Sequence, residues 1–509
     1  MTNPAAAIRM LITYVVIIPL AIVVGYLLTN PLDFGTIGFL GLILLVIISP
    51  VFIKWHYPIL VFGLACPMTC FFLIGRPPLA QVVVMLSLGI AIVERTVNSE
   101  KRFIRVPVMT WPLVFIAAMA FTTAKLTGGM GLHTLGGDTG GGKKYIALFL
   151  GIATYFALTS STIPRNKWKW YLALSMLPSL LGMIGDFFPL LPSPLNSVNL
   201  LFPPSMVSDE EVVVGVTRLR AFSFSIGTIA LYLLARYGLR GLCDGTKPWR
   251  ALLFIVSVTL TLYGGFRSSL VGLVITLTLM FFLEGMHRTR LLPLLLMAGV
   301  LGITVLGAFS DKLPFTFQRS LSFLPLKWDS EVTLDATASS EWRFNIWRAT
   351  WPKVPDYLLL GKGYSLKKED FDMIGTGSFA AVKASHIDAA DETLAISGDY
   401  HSGPLSTLMG FGIWGAIGML WLMAAATFVA YRNFKYGDPE LRAFNVYTLA
   451  SCVAGIIFFL FVFGGFHNDV GNFARIAGFS LAMNGGLARP TARTAYNPLI
   501  KPLPEPQPV

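Results

Sequence analysis

The chain has little charge. Asp, Glu, Lys and Arg make up 13% of its 509 residues, about half the share of a soluble domain. Hydrophobic residues make up 54%, and the mean hydropathy is +0.67. These values exclude a soluble globular enzyme and point to an integral membrane protein. Cysteine is scarce as well: Cys66, Cys70, Cys243 and Cys452 lie in or beside apolar runs without metal-ligand spacing, and read as small packed side chains. No Asp-x-Asp occurs in the segments expected outside the membrane. The cluster Asp388, Asp391 and Glu392 reads as a solvated acidic loop, so neither a metal nor any other cofactor is expected. One glycine run, GGDTGGGKK at 136–144, imitates a phosphate-cradling P-loop. It follows an apolar helix rather than a buried strand, and Lys144 stands where Ser or Thr would hold magnesium. A nucleotide site is thereby set aside.

What is present is a succession of apolar runs near the ~20 residues needed to cross the hydrocarbon as a helix. The pattern predicts an all-α polytopic membrane protein with about fourteen transmembrane helices (twelve to fourteen), near 8–28, 33–53, 57–74, 79–94, 107–124, 145–162, 168–188, 219–237, 249–265, 268–285, 291–309, 403–430, 443–463 and 472–488. The first run lacks a small-residue cleavage site and is expected to be a retained helix. The net charge of +12 reads as a topology signal, and nucleic acid is not a partner. Basic residues crowd the connections 94–105, 165–169, 236–250, 287–290 and 431–442, whereas 30–35, 75–78 and 466–472 are poor in them. Positive-inside bias then places both termini in the cytoplasm.

The expected organisation is 1–217, N-terminal helices with external loops near 125–144 and 189–217; 218–309, central helices; 310–402, one large external loop containing short helices; 403–488, C-terminal helices; and 489–509, a cytoplasmic proline-rich tail. Around WRFNIWRATW the large loop is expected to form an amphipathic helix lying over the bundle.

Charges at a membrane edge are costly and mark candidate sites. Arg267, in LYGGFRSSLVGLV, separates two apolar runs with almost no loop between them. Arg218 and Arg220, in TRLRAFSF, open another helix on the same expected outer side, where a cation opposes the macrodipole unless an anion is near. His401 lies where the large loop re-enters the membrane. Each has a bland alternative, a snorkelling arginine or a structural histidine. Arginine forks match phosphate oxygens, and histidine takes up protons near neutral pH. Together they suit transfer chemistry on a phosphate-bearing lipid. Lys143 and Lys144, at the mouth of the next helix, are auxiliary candidates for attracting an anion.

Four stretches in order, RLRAF at 218–222, GGFRSS at 264–269, EWRFNIWRATW with LLLGKGYS at 341–365, and DYHSGPLSTLMGFGIWG at 399–415, resemble the O-antigen ligase and O-antigen polymerase superfamily of bacterial membrane glycosyltransferases. The chain departs from that pattern at Ala221 and Ser223-Phe-Ser225, at Phe266 in place of Ser, and at Ser402 in place of Asn. The resemblance implies an inverting, metal-independent transfer of a glycan from undecaprenyl pyrophosphate to an acceptor hydroxyl, at the periplasmic face of the inner membrane. It further implies that Arg220 or Arg218, Arg267 and Arg343 hold the pyrophosphate, and that His401 activates the acceptor. The acceptor would be a glycan, a lipid A core or another hydroxyl compound. Three functions are carried forward: a ligase, a polymerase of the same superfamily, and a flippase for a lipid-linked sugar, whose charges would line a path facing both sides.

Overall fold

The computed structural model describes residues 13–27, 29, 34–73, 75–127, 141–187, 192, 198–203, 219–289, 291–364 and 400–490. Among these the chain is all-helical, with an isolated bridge between Thr69 and Pro78 in place of any strand. Residues Met1–Ile59 form one compact unit and Leu60–Val509 another. The first unit contributes α1, Ile18–Leu27, and most of α2, Phe34–Ala65.

The second unit contains α3 (Leu79–Val97), α4 (Pro107–Thr127), α5 (Gly141–Leu158), the short α6 (Trp168–Leu174) and α7 (Met183–Phe187), then α8 (Arg220–Leu242), α9 (Trp249–Thr261), α10 (Arg267–Leu283) and α11 (Leu291–Ala308). It continues with α12 (Phe315–Leu321), α13 (Ser330–Thr350), α14 (Val354–Tyr357), α15 (Gly403–Tyr436), α16 (Arg442–Phe461) and α17 (Phe466–Asn484). Among the described residues, six helical segments are long and apolar enough to cross a membrane: Leu79–Val97, Pro107–Thr127, Arg165–Phe187, Arg220–Leu242, Gly403–Tyr436 and Pro439–Phe461. Shorter apolar helices, among them α9 and α10, accompany them. The chain is a polytopic membrane protein.

Two expectations are corrected and one is refined. The runs 33–53 and 57–74 are one helix, α2, which carries Pro50 and Pro58 inside it and ends at Ala65. Lys54 and His56, which look like a polar connection, ride on that helix; proline is tolerated in apolar helices. The expected run 168–188 corresponds to one apolar segment, Arg165–Phe187, within which the 3-10 turn Leu177–Gly182 interrupts the α-helix, because Pro178 has no N–H to give. The polar stretch 466–472 is the first two turns of α17 rather than a connection. There the Asp469 carboxylate accepts from the Gly465 amide at 2.8 Å, and acidic charge near a helix N-terminus is favourable.

The main core runs through α4, α5, α15, α16 and α17, centred on Leu113, Ile116, Leu148, Phe411, Leu422, Cys452 and Phe473. Small residues permit its closest approach. A Cβ on Gly151 of α5 would meet the Gly471 Cα of α17 at 2.9 Å. Buried amides join the helix ends: Asn433 Nδ2 donates to Ser480 Oγ at 3.0 Å, and Asn445 Nδ2 to Asn484 Oδ1 at 3.0 Å. These bonds lie at the end of the bundle that carries the basic connections. There Trp168 Nε1 also donates to Glu440 Oε1 at 2.8 Å, and Arg165 pairs with Asp438 at 3.3 Å. At the opposite end begin α8, α10 and α15, the helices introduced by Arg220, Arg267 and His401.

Candidate functional site

The turn between α9 and α10 is tight. A 3-10 turn, Leu262–Gly264, leads into Gly265 at φ 67°, a left-handed conformation that L side chains rarely adopt, and Phe266 then opens α10. A Cβ on Gly264 would meet Ser223 Oγ at 2.5 Å, so α8 packs directly on this turn. Phe266, the residue at the N-cap of α10, makes no side-chain cap bond. The first amides of a helix have no partner within it, and they favour negative charge.

Helix α12 packs on this turn, where Ser320 Oγ donates to Leu262 O at 3.1 Å, and α13 follows, its N-terminus capped by Asp329, whose carboxylate accepts from the Glu331 amide at 2.9 Å. Arg267 Nη2 donates to Ala336 O at 3.0 Å and to Ser340 Oγ at 3.4 Å. Arg319, on α12, pairs with Asp335 and donates through Nη1 to Gly265 O at 2.7 Å. Arg343 completes the group. Burial first, and then the positive charges of Arg267 and Arg319, pull its guanidinium below the ordinary pKa. Its Nε is buried without a hydrogen-bond partner among the described residues. Three guanidiniums thus lie within electrostatic reach of one another, with one carboxylate, Asp335, bonded to Arg319 and a buried Arg343 donor left over, and this arrangement favours an anion.

The same helix reaches the histidine segment. Trp347 Nε1 donates to Tyr400 O at 2.9 Å, and Ile346 packs in one cluster with Tyr400, Leu405 and Met409. Residues 336, 340, 343 and 347 fall at spacings of four, three and four, one stripe of an α-helix. At ~1.5 Å per residue, the step from Arg343 to Trp347 is about 6 Å along the axis. His401 follows Tyr400 directly. Its φ is +49°, a left-handed conformation in a non-glycine residue, and its ring packs edge-on against Phe463 with centroids 5.0 Å apart. The phenol of Tyr400 is pushed up to about 12 by burial and then by Tyr357, so it stays protonated at neutral pH.

After the histidine, α15 is interrupted at Gly412, where φ is 61° and ψ −152°. The segment Gly361-Lys362-Gly363 fills the break. Lys362 N donates to Met409 O at 2.7 Å, Gly363 N to Gly410 O at 2.9 Å, and Ile413 N to Leu358 O at 2.7 Å. A Cβ on Gly361 would collide with Gly410 O, and φ there is +73°, which explains the glycine.

The remaining candidates sit as follows. Arg220 is exposed at the start of α8, with its guanidinium 5.4 Å from the Phe266 ring, on the edge of the arginine group. The anion that its helix terminus favours comes from Asp186, whose Oδ2 accepts from the Phe222 amide at 2.8 Å. Lys143 and Lys144 belong to the first turn of α5, and Lys144 Nζ lies 5.7 Å from the Tyr364 ring, beside the glycine segment. Arg218 and the acidic cluster Asp388, Asp391 and Glu392 lie outside the described residues.

Residues 251–420 match the family model described as O-antigen ligase. The resemblance of the chain to the O-antigen ligase superfamily rests on this stretch. No curated protein matches the chain. The O-antigen ligase-like stretch contains Arg267, Arg319, Asp335, Arg343, the glycine segment and His401, and leaves out Arg220 and the two lysines. Sequence reasoning missed Arg319 and Asp335. Both are nearly buried, with side chains 11% and 12% exposed, and a charged pair so close to an apolar turn is the signal that was available.

The departures from the superfamily pattern also find structural roles. Phe224 and Phe266 contact one another, with centroids 5.5 Å apart. Ser223 and Ser225 bond the carbonyls of Thr261 and Ser179. Ser402 caps α15 by accepting from the Leu405 amide at 3.4 Å, a role that asparagine fills equally well.

Proposed function

We propose that the chain moves a glycan from undecaprenyl pyrophosphate to an acceptor hydroxyl at the periplasmic face of the bacterial inner membrane, as an O-antigen ligase-like glycosyltransferase. The observation that carries this reading is the single stripe of α13 that gathers Arg267 and Arg343 beside the His401 segment. In this scheme His401 takes the acceptor proton as the hydroxyl oxygen attacks the anomeric carbon from the face opposite the leaving group. The bond from that carbon to the phosphate oxygen breaks, and undecaprenyl pyrophosphate departs with inverted stereochemistry at the sugar. Negative charge grows on the phosphate oxygens, where Arg267, Arg343 and, from the rim, Arg220 or Arg218 meet it. Preorganised guanidiniums lower that barrier without a metal. A positioned general base adds roughly 10²- to 10⁴-fold. Arg319 holds the turn that carries Arg267 rather than the donor itself.

Segment 218–309 then supplies the donor arginines, 310–402 the periplasmic cover and His401, and both termini lie in the cytoplasm. Lys143 and Lys144 draw the anionic donor toward the site, so replacing both with Gln is expected to raise the Michaelis constant for donor. A polymerase would use the same donor site with a lipid-linked glycan as acceptor. The test is glycan transfer by purified His401→Ala and Arg267→Ala proteins. The scheme expects activity to be lost with membrane insertion intact and, in the parent, to survive EDTA. Full activity in either variant would sink it.

A further inference from the structure

The other end of the bundle holds a pocket that glycan transfer does not use. Arg95, Ser99, Arg102, Phe103 and Arg105 line a cavity of about 520 Å³. It sits where α3 ends and α4 begins, both helices long and apolar enough to cross a membrane. The far end of α4 meets the glycine segment, where Thr123 Oγ1 donates to Leu360 O at 3.4 Å. Helix α4 has 21 residues. Its ends are therefore about 30 Å apart, the thickness of the hydrocarbon.

We propose that this pocket binds the phosphate of an anionic lipid headgroup in the leaflet opposite the transfer site. Its position at the ends of two membrane helices puts it at headgroup depth. The connecting loop is also built in place. Ile104 N donates to Thr159 O at 2.8 Å, Val106 is buried, and the Arg95 guanidinium lies 5.6 Å from the half-buried Phe103 ring. Of the two neighbouring acids, Glu94 pairs with Lys101 at 2.8 Å and Glu100 is not among the residues that line the cavity. Three arginines are left facing one cavity. A topology signal needs positive charge alone, whereas a shaped cavity with three guanidinium forks matches phosphate oxygens.

The experiment is native mass spectrometry of the full chain, released from mixed phosphatidylglycerol and phosphatidylcholine bilayers, with retained lipid counted. The parent is expected to keep phosphatidylglycerol in preference. Arg95→Gln, Arg102→Gln and Arg105→Gln together should weaken that retention roughly tenfold or more. The corresponding triple Arg→Lys variant keeps the charge that guides insertion and should still lose severalfold. A control with Lys167→Gln, Lys169→Gln and Lys247→Gln, exposed residues at the same end of the bundle, should retain lipid as the parent does. Unchanged retention in the arginine variants, or an equal loss in the lysine control, overturns the proposal. Displacement of the lipid by millimolar inorganic phosphate would assign the pocket to a soluble phosphate instead and overturn the lipid assignment.

Discussion

The arginines of the site divide by the work they do. Arg319 is bound at both ends, to the Asp335 carboxylate and the Gly265 carbonyl, whereas Arg343 is crowded by like charge and has a buried nitrogen to spare. Their substitutions should therefore behave oppositely. Arg319→Gln leaves the nearly buried Asp335 without its bonded partner, so thermal unfolding in detergent should show a loss of roughly 3 kcal/mol. Arg343→Met removes repulsion and should leave the unfolding temperature equal or higher, while glycan transfer is lost; groups that serve a site commonly cost stability. Arg267 and His401 were legible in the sequence because each interrupts an apolar pattern at a helix edge. Arg319 was not, since Gly265 lies 54 residues away and Asp335 lies 16 away, and only the fold makes them neighbours. The φ of His401 is likewise a product of packing, because nothing in Asp-Tyr-His-Ser demands a left-handed residue.

Among the elements, the apolar helices were largely legible, since length and hydropathy are properties of the run itself. The breaks within them were not. Leu-Gly-Lys-Gly-Tyr looks like a loop, and its use as a clasp on the interrupted turn of α15 depends on carbonyls supplied by Met409 and Gly410. That clasp links the end of the α13–α14 region to the helix introduced by His401. Gly361→Ala forces a Cβ against Gly410 O at a left-handed position, and a cost of order 1–3 kcal/mol is expected. Thermal unfolding measures the cost directly, and donor turnover should fall with it as the His401 segment loses its register against α13. Gly363→Ala, which meets Thr127 Oγ1 at 2.5 Å and Tyr145 OH at 2.6 Å, should act in the same direction.

For the molecule as a whole, the decisive feature is that the candidate transfer residues and the basic connections occupy opposite ends. Arg220, Arg267 and His401 introduce helices at one end, and the connections 94–105, 165–169 and 431–442 cluster at the other. A flippase would spread its charges along a path open to both sides, so this separation favours an enzyme working on one face. Cysteines introduced singly at Ser99 and at Lys353, in a background without native cysteine, should label from opposite sides of sealed vesicles; labelling from one side would revive the transporter. The charge pattern made this polarity legible in the sequence, whereas the meeting of α13 with the start of α10 was hidden in a segment of mixed polarity. The central claim is that Arg267, Arg343 and His401 act as one transfer site. Its most direct measurement is single-turnover transfer from undecaprenyl-pyrophosphate-linked glycan by His401→Ala, Arg343→Met and the double variant. The account predicts that each single variant abolishes transfer and that the double is no worse than the worse single. Independent, multiplying losses from partly active single variants, or transfer at the parent rate in His401→Ala, would contradict it.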